Sequence, residues 1–385
     1  MTKIKLSLIA ISLLSMGTMA QADVDLKTTG QVALYYQTQD NSGDADLFDK
    51  GANSRANAGL QLNVNGDLGN DFGLGLQGTM LGTLGLENNT VGASMQTAQT
   101  NDLNGASLTK AYITKKIANT TLKLGRQELP KNLSPLAFSE GWNVFKNTFD
   151  AALAINTDIP DTTVVGAYVA NGNGALVKSP GLVDLGAYNK IGKSGAYMLT
   201  VANKSNTAIK PTVSYYQLPN TGVSAVWADA QIDAGLPVKF ALQGGQLMTD
   251  AEDTSSYGLK ASGKAGIADL TLAYTNVGDG GNAIQNVGTG VKTPLYTQMI
   301  LNQGAIKRDN DTVMLKAVAP VGPGKLIAQY ATTKDNSDAE SDYNELDVIY
   351  KFKALGTNML AAYVMQDIDG KDKNNVLRVW TRYNF

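Results

Sequence analysis

Side-chain character alternates with a period of two along the whole chain, and the alternation runs into its last residue. In residues 375–385, Leu377, Val379, Thr381, Tyr383 and Phe385 fall on one face. Val376, Arg378, Trp380, Arg382 and Asn384 fall on the other. Successive side chains of a strand point to opposite faces, so this strand has a largely apolar face and a face carrying two arginines. A soluble sheet buries the apolar face and wets the other. A membrane barrel turns the apolar face out to lipid and the charge in to a water-filled lumen. Taken alone, the segment also reads as an ordinary edge strand. A chain that stops in mid-strand on phenylalanine suits a barrel whose last strand closes against its first.

The rest of the chain repeats the pattern. Between 343 and 353, Leu346, Val348, Tyr350 and Phe352 oppose Glu345, Asp347, Ile349, Lys351 and Lys353. Val238, Phe240 and Leu242 oppose Lys239, Ala241 and Gln243, and Tyr257, Leu259 and Ala261 oppose Gly258, Lys260 and Ser262. Such runs last about ten residues, the length a tilted strand needs to cross a bilayer. The polar faces carry lysine, aspartate and small residues that the interior of a β-sandwich would not hold.

The N-terminus reads as a secretory signal peptide. Lys3 and Lys5 form a positive start, 6–16 is an apolar core, and Ala20-Gln21-Ala22 is a cleavage site, with cleavage after Ala20 as the alternative. Removing residues 1–22 leaves 30 basic residues against 34 acidic ones, which argues against nucleic acid as a partner. Beyond the leader no apolar run is long enough for a membrane helix. The chain has no cysteine and no histidine. Disulfide scaffolds, Ser-His-Asp triads and histidine metal sites are therefore excluded, and no cofactor or metal ligand set is expected. Gly73, Gly75 and Gly78 match a dinucleotide-binding pattern, but they fall inside a strand run with no helix after it.

The connections alternate between short turns, such as 67–70, 233–237 and 321–324, and long polar stretches, such as 39–53, 84–104, 129–145, 172–194 and 278–310. Outer-membrane barrels show this asymmetry, with turns in the periplasm and loops outside. Counting back from Phe385, which must end in the periplasm, gives eighteen strands. A run at 183–190 would make the number odd, so it is assigned to an external loop. Sixteen strands is the alternative, because 172–222 is the least regular stretch. The predicted fold is all-β: one transmembrane antiparallel up-and-down β-barrel over residues 23–385.

The segment from Leu124 to Val169 resembles the OprD-like porins and the related major-outer-membrane-protein group. Gly125-Arg126-Gln127 ends a strand, Ser134-Pro135-Leu136 and Ser139-Glu140 lie in a loop, and Asn147-Thr148-Phe149 and Ile159-Pro160-Asp161-Thr162-Thr163 follow. In that family this loop folds into the barrel and narrows it, which the resemblance carries over to 129–145. The residues agree: Leu133, Leu136, Phe138, Trp142, Val144 and Phe145 are too apolar for a free surface loop. Its polar residues Lys131 and Glu140 would then face the aperture.

Opposite such a loop, porins place cations on the wall. The expected constriction is Arg126, Lys131, Glu140, Lys110 and Asp150. Lys239, Lys260, Lys316, Lys351, Arg378 and Arg382 are expected on the lumen wall. Arg126 agrees with this only if Gly125 forms a bulge, because Leu122 and Leu124 face lipid. Tyr383 and Phe385 are expected to close the barrel.

The implied function is an outer-membrane porin of a Gram-negative bacterium, passing small hydrophilic solutes passively and not an enzyme. A channel selective for small carboxylates or amino acids is the alternative, and an exported adhesin without a pore is the alternative of another class. Expected partners are outer-membrane lipid and lipopolysaccharide, two further copies in a homotrimer, and the barrel assembly machinery through the last strand.

Overall fold

The computed structural model describes residues 25–385 apart from 41–45, 51–52, 100–103, 175, 179–181, 288–292, 307 and 338–340. The expected signal peptide, 1–22, lies outside the described residues. Eighteen antiparallel strands form the wall. In chain order, β1 to β6 are Asp25–Asp40, Ser54–Gly69, Phe72–Gly82, Gly105–Ile117, Thr120–Gln127 and Phe149–Asn156. Strands β7 to β12 are Thr162–Gly172, Ala196–Asn203, Ile209–Leu218, Val223–Ile232, Val238–Met248 and Thr254–Ala265. Strands β13 to β18 are Ala268–Val277, Asn310–Val321, Gly324–Asp335, Tyr343–Ala354, Thr357–Ile368 and Asn374–Asn384. The alternative of sixteen is thereby removed. The run at 183–190 does not cross the wall: only Asn189–Lys190 joins the sheet, against Gly172 and Asn171 of β7.

Each strand pairs with its sequence neighbours, and β1 pairs with β18 from Gln31↔Asn384 to Asp40↔Asn375. Closure satisfies every edge, as a spanning sheet must in a medium that offers no hydrogen bonds. Phe385 completes the seam. Its N–H donates to the Gly30 carbonyl at 3.0 Å and its carbonyl accepts from Gly30 N–H at 2.7 Å. The ring of Phe385 lies on Gly30, where any Cβ would overlap it, and stacks on Tyr383.

Polarity across the wall is inverted. Leu124, Leu259, Leu272 and Leu315 stand exposed on the outside. On the inside Gln61 donates to Gln77 and Thr79, and hydroxyl pairs join Thr79 to Thr109, Thr200 to Ser214 and Thr312 to Thr333. A soluble barrel would place apolar side chains at these positions. Short turns match the strand twist: Asn70 and Asp71, both with positive φ, join β2 to β3.

Apolar packing inside the cylinder occurs where loops enter it. One cluster joins Leu129 and Leu136 to the wall residues Phe149, Leu153, Met198 and Trp227, with Ile284 and Leu295. A second joins Val144 and Phe145 to Tyr35, Leu81, Ile349 and Trp380, with Ile300. A three-stranded sheet of Gln96–Thr97, Leu176–Lys178 and Leu182–Asp184 lies among the long loops.

Candidate functional site: the constricted lumen

The loop between β5 and β6 turns inward because its apolar side chains find partners only there. Phe145 is almost fully buried, with its ring on Gly59 and beside Leu81. The Gln96 amide reads the Phe145 backbone in both directions, accepting from its N–H at 2.7 Å and donating to its carbonyl at 2.8 Å. Arg382 of β18 donates through Nη2 to the carbonyls of Asn143 at 2.8 Å, Val144 at 3.1 Å and Gly141 at 3.3 Å. Trp142 packs against Trp380, with ring centroids 5.6 Å apart.

A second loop, between β13 and β14, also enters. Leu295, Met299, Ile300 and Ile306 are buried. Its amides meet acids on the wall: Leu301 N–H donates to Glu345 Oε1 at 2.9 Å and Ile300 N–H to Asp347 Oδ2 at 3.3 Å. Asn286 accepts from Phe138 N–H and donates to its carbonyl, so the two loops brace each other. Sequence reading left 278–310 outside. The density of apolar residues that drew attention to 129–145 was present here too, in Leu295, Met299, Ile300, Leu301 and Ile306.

Open space remains on both sides of this double plug. A cavity of about 940 Å³ is lined by Lys131, Glu140, Trp142, Lys260 and Lys316. One of about 810 Å³, bordered by the turn at Pro323-Gly324, carries Lys351, Arg382 and Trp142. On the long-loop side a space of about 240 Å³ is lined by Arg55, Arg378, Glu140 and Trp142. Trp142 borders all three and Glu140 two, which places the divide between the compartments at these residues.

The cations are held by aromatic faces. Lys260 lies 4.2 Å from the ring centre of Tyr296, Arg382 4.9 Å from Trp380, Lys131 5.1 Å from Phe138, Lys351 5.8 Å from Trp142 and Arg378 5.8 Å from Tyr35. Each such contact contributes about 0.5–1 kcal/mol when exposed and fixes a long side chain without neutralising it. Among the described residues none of Lys260, Lys316, Lys351, Arg378 and Arg382 has an ion pair. Asp229, an acid in the same space, accepts from Tyr296 Oη at 2.5 Å and from Gln231 at 2.9 Å.

Other expected residues stand elsewhere. The ladder carries no register shift at Gly125, despite its φ of 121°, so Arg126 keeps the outward series of Leu122 and Leu124. Its expected place at the constriction is corrected accordingly. Arg126 Nε donates to Asp150 at 2.8 Å, Nη1 donates to the Leu108 carbonyl, and the guanidinium lies 3.4 Å from the Tyr188 ring centre. Arg126 and Asp150 thus close the notch in the wall where the loop dives inward. Burial pushes the Tyr188 hydroxyl up to about 12, against the opposing hydrogen bond to Thr148, so it stays neutral there.

Lys110 faces inward but is tied to Glu128 at 2.5 Å, which also binds Lys146 at 3.0 Å. Burial pushes the Glu128 carboxyl up, but the two lysines outweigh it and hold it below the usual range. Lys239 pairs with Asp233 at the turn-side rim, away from the narrow region. Glu140 is buried and turned back on its own loop, Oε2 accepting from Trp142 N–H at 2.8 Å and Oε1 from Asn143 at 2.5 Å. It borders the aperture with its carboxylate hydrogen-bonded to its own loop. Arg55, which the sequence reading passed over, lines the lumen because it shares the inward phase of Asn57 and Gln61 on β2.

A closed, inside-out cylinder with wet compartments separated by inward loops is the architecture of a pore. The family model described as Gram-negative porin matches residues 7–372. The chain belongs to the Gram-negative porin family. It is an outer-membrane porin, a channel rather than an enzyme, and crosses the membrane as a multi-pass β-barrel. Compared with curated protein sequences, this porin matches none.

Solved structures share the fold at low identity. Pseudomonas aeruginosa OpdK with vanillate superposes with a TM-score of 0.78 at 13% identity, covering 94% of this chain and 98% of that one. Pseudomonas aeruginosa OccK8 (OprE) gives 0.75 at 13%, covering 94% and 98%. Acinetobacter baumannii OccAB1 gives 0.73 at 13%, covering 94% and 96%. The porin thus has the fold of the OprD and Occ channels, as the resemblance of 124–169 implied.

Proposed function

We propose that the porin conducts anions passively and favours small carboxylates, with no catalytic step. The observation that carries this reading is the row of cations along the lumen that have no ion pair among the described residues, set against acids that accept from loop amides and hydroxyls. Lys260 and Lys316 line one compartment, Lys351 and Arg382 the next, and Arg378 the long-loop side. Fixed charge of one sign in a narrow, low-dielectric passage raises the local concentration of counter-ions and sets selectivity. Asp229, Glu345 and Asp347 lie among the cations but are engaged by Tyr296 and by the amides of Leu301 and Ile300. One structural neighbour, Pseudomonas aeruginosa OpdK, is solved with vanillate, a carboxylate, which supports the reading.

In this reading Lys131 and Glu140 edge the aperture, residues 1–22 are removed on export, and three barrels associate. The β18 seam ending in Tyr383 and Phe385 is the element offered to the assembly machinery. The reading is tested by conductance in mixed salts. Carboxylate currents should saturate and compete with one another, whereas linear, non-competing currents would leave only a general pore.

A further inference from the structure

We infer that Asn173 and Tyr188, on the external loop between β7 and β8, are positioning residues for the constriction. Through Thr148 they fix where the inward loop rejoins the wall, and so where its edge stands in the lumen. The inference goes beyond the conducting reading and does not depend on which ions the pore prefers.

Thr148 is the last residue of the inward loop before β6 begins at Phe149, and both residues are fully buried. Asn173 holds the Thr148 backbone in both directions. Its Oδ1 accepts from Thr148 N–H at 2.7 Å, and its own N–H donates to the Thr148 carbonyl at 3.2 Å. The Thr148 hydroxyl meets Tyr188 Oη at 2.7 Å. Asn173 Nδ2 donates to that same phenol oxygen at 3.0 Å and to the Leu185 carbonyl at 2.7 Å. The Arg126 guanidinium packs on the Tyr188 ring and keeps it over the notch.

The hold reaches the aperture through the preceding residue. Asn147 is buried, accepts from Glu140 N–H at 2.8 Å and donates to the Phe138 carbonyl at 3.4 Å. Glu140 and Phe138 both line the 940 Å³ compartment, so a shift at Thr148 moves the edge of the opening.

A second hold completes the bracket. Leu182–Asp184 pairs with Gln96–Thr97, and Leu185 N–H donates to the Thr97 carbonyl at 2.8 Å. Leu185 is buried in the same cluster as Phe145, whose backbone Gln96 binds. The external loops after β3 and β7 therefore grip the inward loop together, at Phe145 and at Thr148. Removing the Tyr188 hydroxyl leaves the Thr148 hydroxyl and one proton of the Asn173 amide without that partner in a buried place. A displaced loop escapes this cost because its polar groups reach water.

The test uses the full-length mature porin in a planar bilayer. Tyr188→Phe keeps the ring and removes the hydroxyl. Brief excursions above the main conductance level should become about tenfold more frequent, the loss expected for a buried hydrogen bond left unmade. Thr148→Val should give the same records, and Thr148→Ser, which keeps the hydroxyl, should match wild type. Tyr188→Phe and Thr148→Val combined should not exceed either alone, because they remove one shared contact. Thr249→Val removes three hydrogen bonds from the external loop between β11 and β12 and should leave the records unchanged. Wild-type excursion frequency in both Tyr188→Phe and Thr148→Val would overturn the inference, and so would an equal rise in Thr249→Val. A rise accompanied by loss of the heat-induced mobility shift in detergent gels would assign these residues to the wall and overturn it as well.

Discussion

Truncating Phe145 should release the constriction loop without opening the barrel. The ring is 3% exposed and fills the depression over Gly59 beside Leu81. Phe→Ala at such sites costs about 3–5 kcal/mol, and water entering from the lumen should hold the cost near the lower figure. At about 3 kcal/mol the ratio of displaced to seated loop rises about 150-fold. The Gln96 pair and the three carbonyls held by Arg382 remain, so the seated state still dominates. Single-channel recording of Phe145→Ala should show the wild-type main level with frequent brief excursions to higher conductance. Adding Arg382→Gln removes a charged donor worth about 1.5–3 kcal/mol and should lengthen those excursions by a further tenfold or more. None of these contacts is a strand pairing of the wall, so the mobility shift between heated and unheated samples in detergent gels should persist. Unchanged excursion frequency in Phe145→Ala, with that shift intact, would refute the assignment of the loop as a seated plug.

Gly59→Val should reproduce the Phe145→Ala records from the other side of the contact, because its side chain occupies the space of the ring; in the double variant the two effects should be less than additive. Gly30→Val should displace Phe385 from the seam and slow folding into lipid vesicles, measured by the rate at which the heat-modifiable band appears. Lys316→Glu should shift the zero-current potential in a potassium chloride gradient toward cations, whereas Lys239→Glu at the rim should shift it far less. Acid should loosen the loop anchor at Glu128. Its folded pKa lies below the unfolded value of about 4.3, so the stabilisation is complete above that value and is lost as pH falls through the depressed folded one. Excursions should therefore rise in acid in wild type, while Glu128→Gln should show them at neutral pH with no further rise.

The barrel was legible because period-two alternation reports the two solvents directly. Lipid outside and water inside sort each strand, and the parity of turns and loops then removes the run at 183–190. The first inward loop was legible from Phe145, Trp142 and Leu136, which need burial that a surface loop lacks. The second loop carries the same apolar signal in Leu295, Met299, Ile300 and Leu301, but the wall partners that hold it, Glu345 and Asp347 on β16, are distant in sequence. The phase of Arg126 could not be settled from the sequence, since Gly125 allows a bulge but does not compel one, and only the ladder on both sides shows that none forms. Arg55 was missed because alternation marks a face without telling which of its residues lack partners.

The sign of the lumen charge is tested most directly by the zero-current potential of the wild-type pore across a tenfold potassium chloride gradient at neutral pH. A lumen dominated by Lys260, Lys316, Lys351, Arg378 and Arg382 gives stepwise ohmic conductance and a potential on the chloride side of zero. A potential on the potassium side, or no conductance at all, would contradict it.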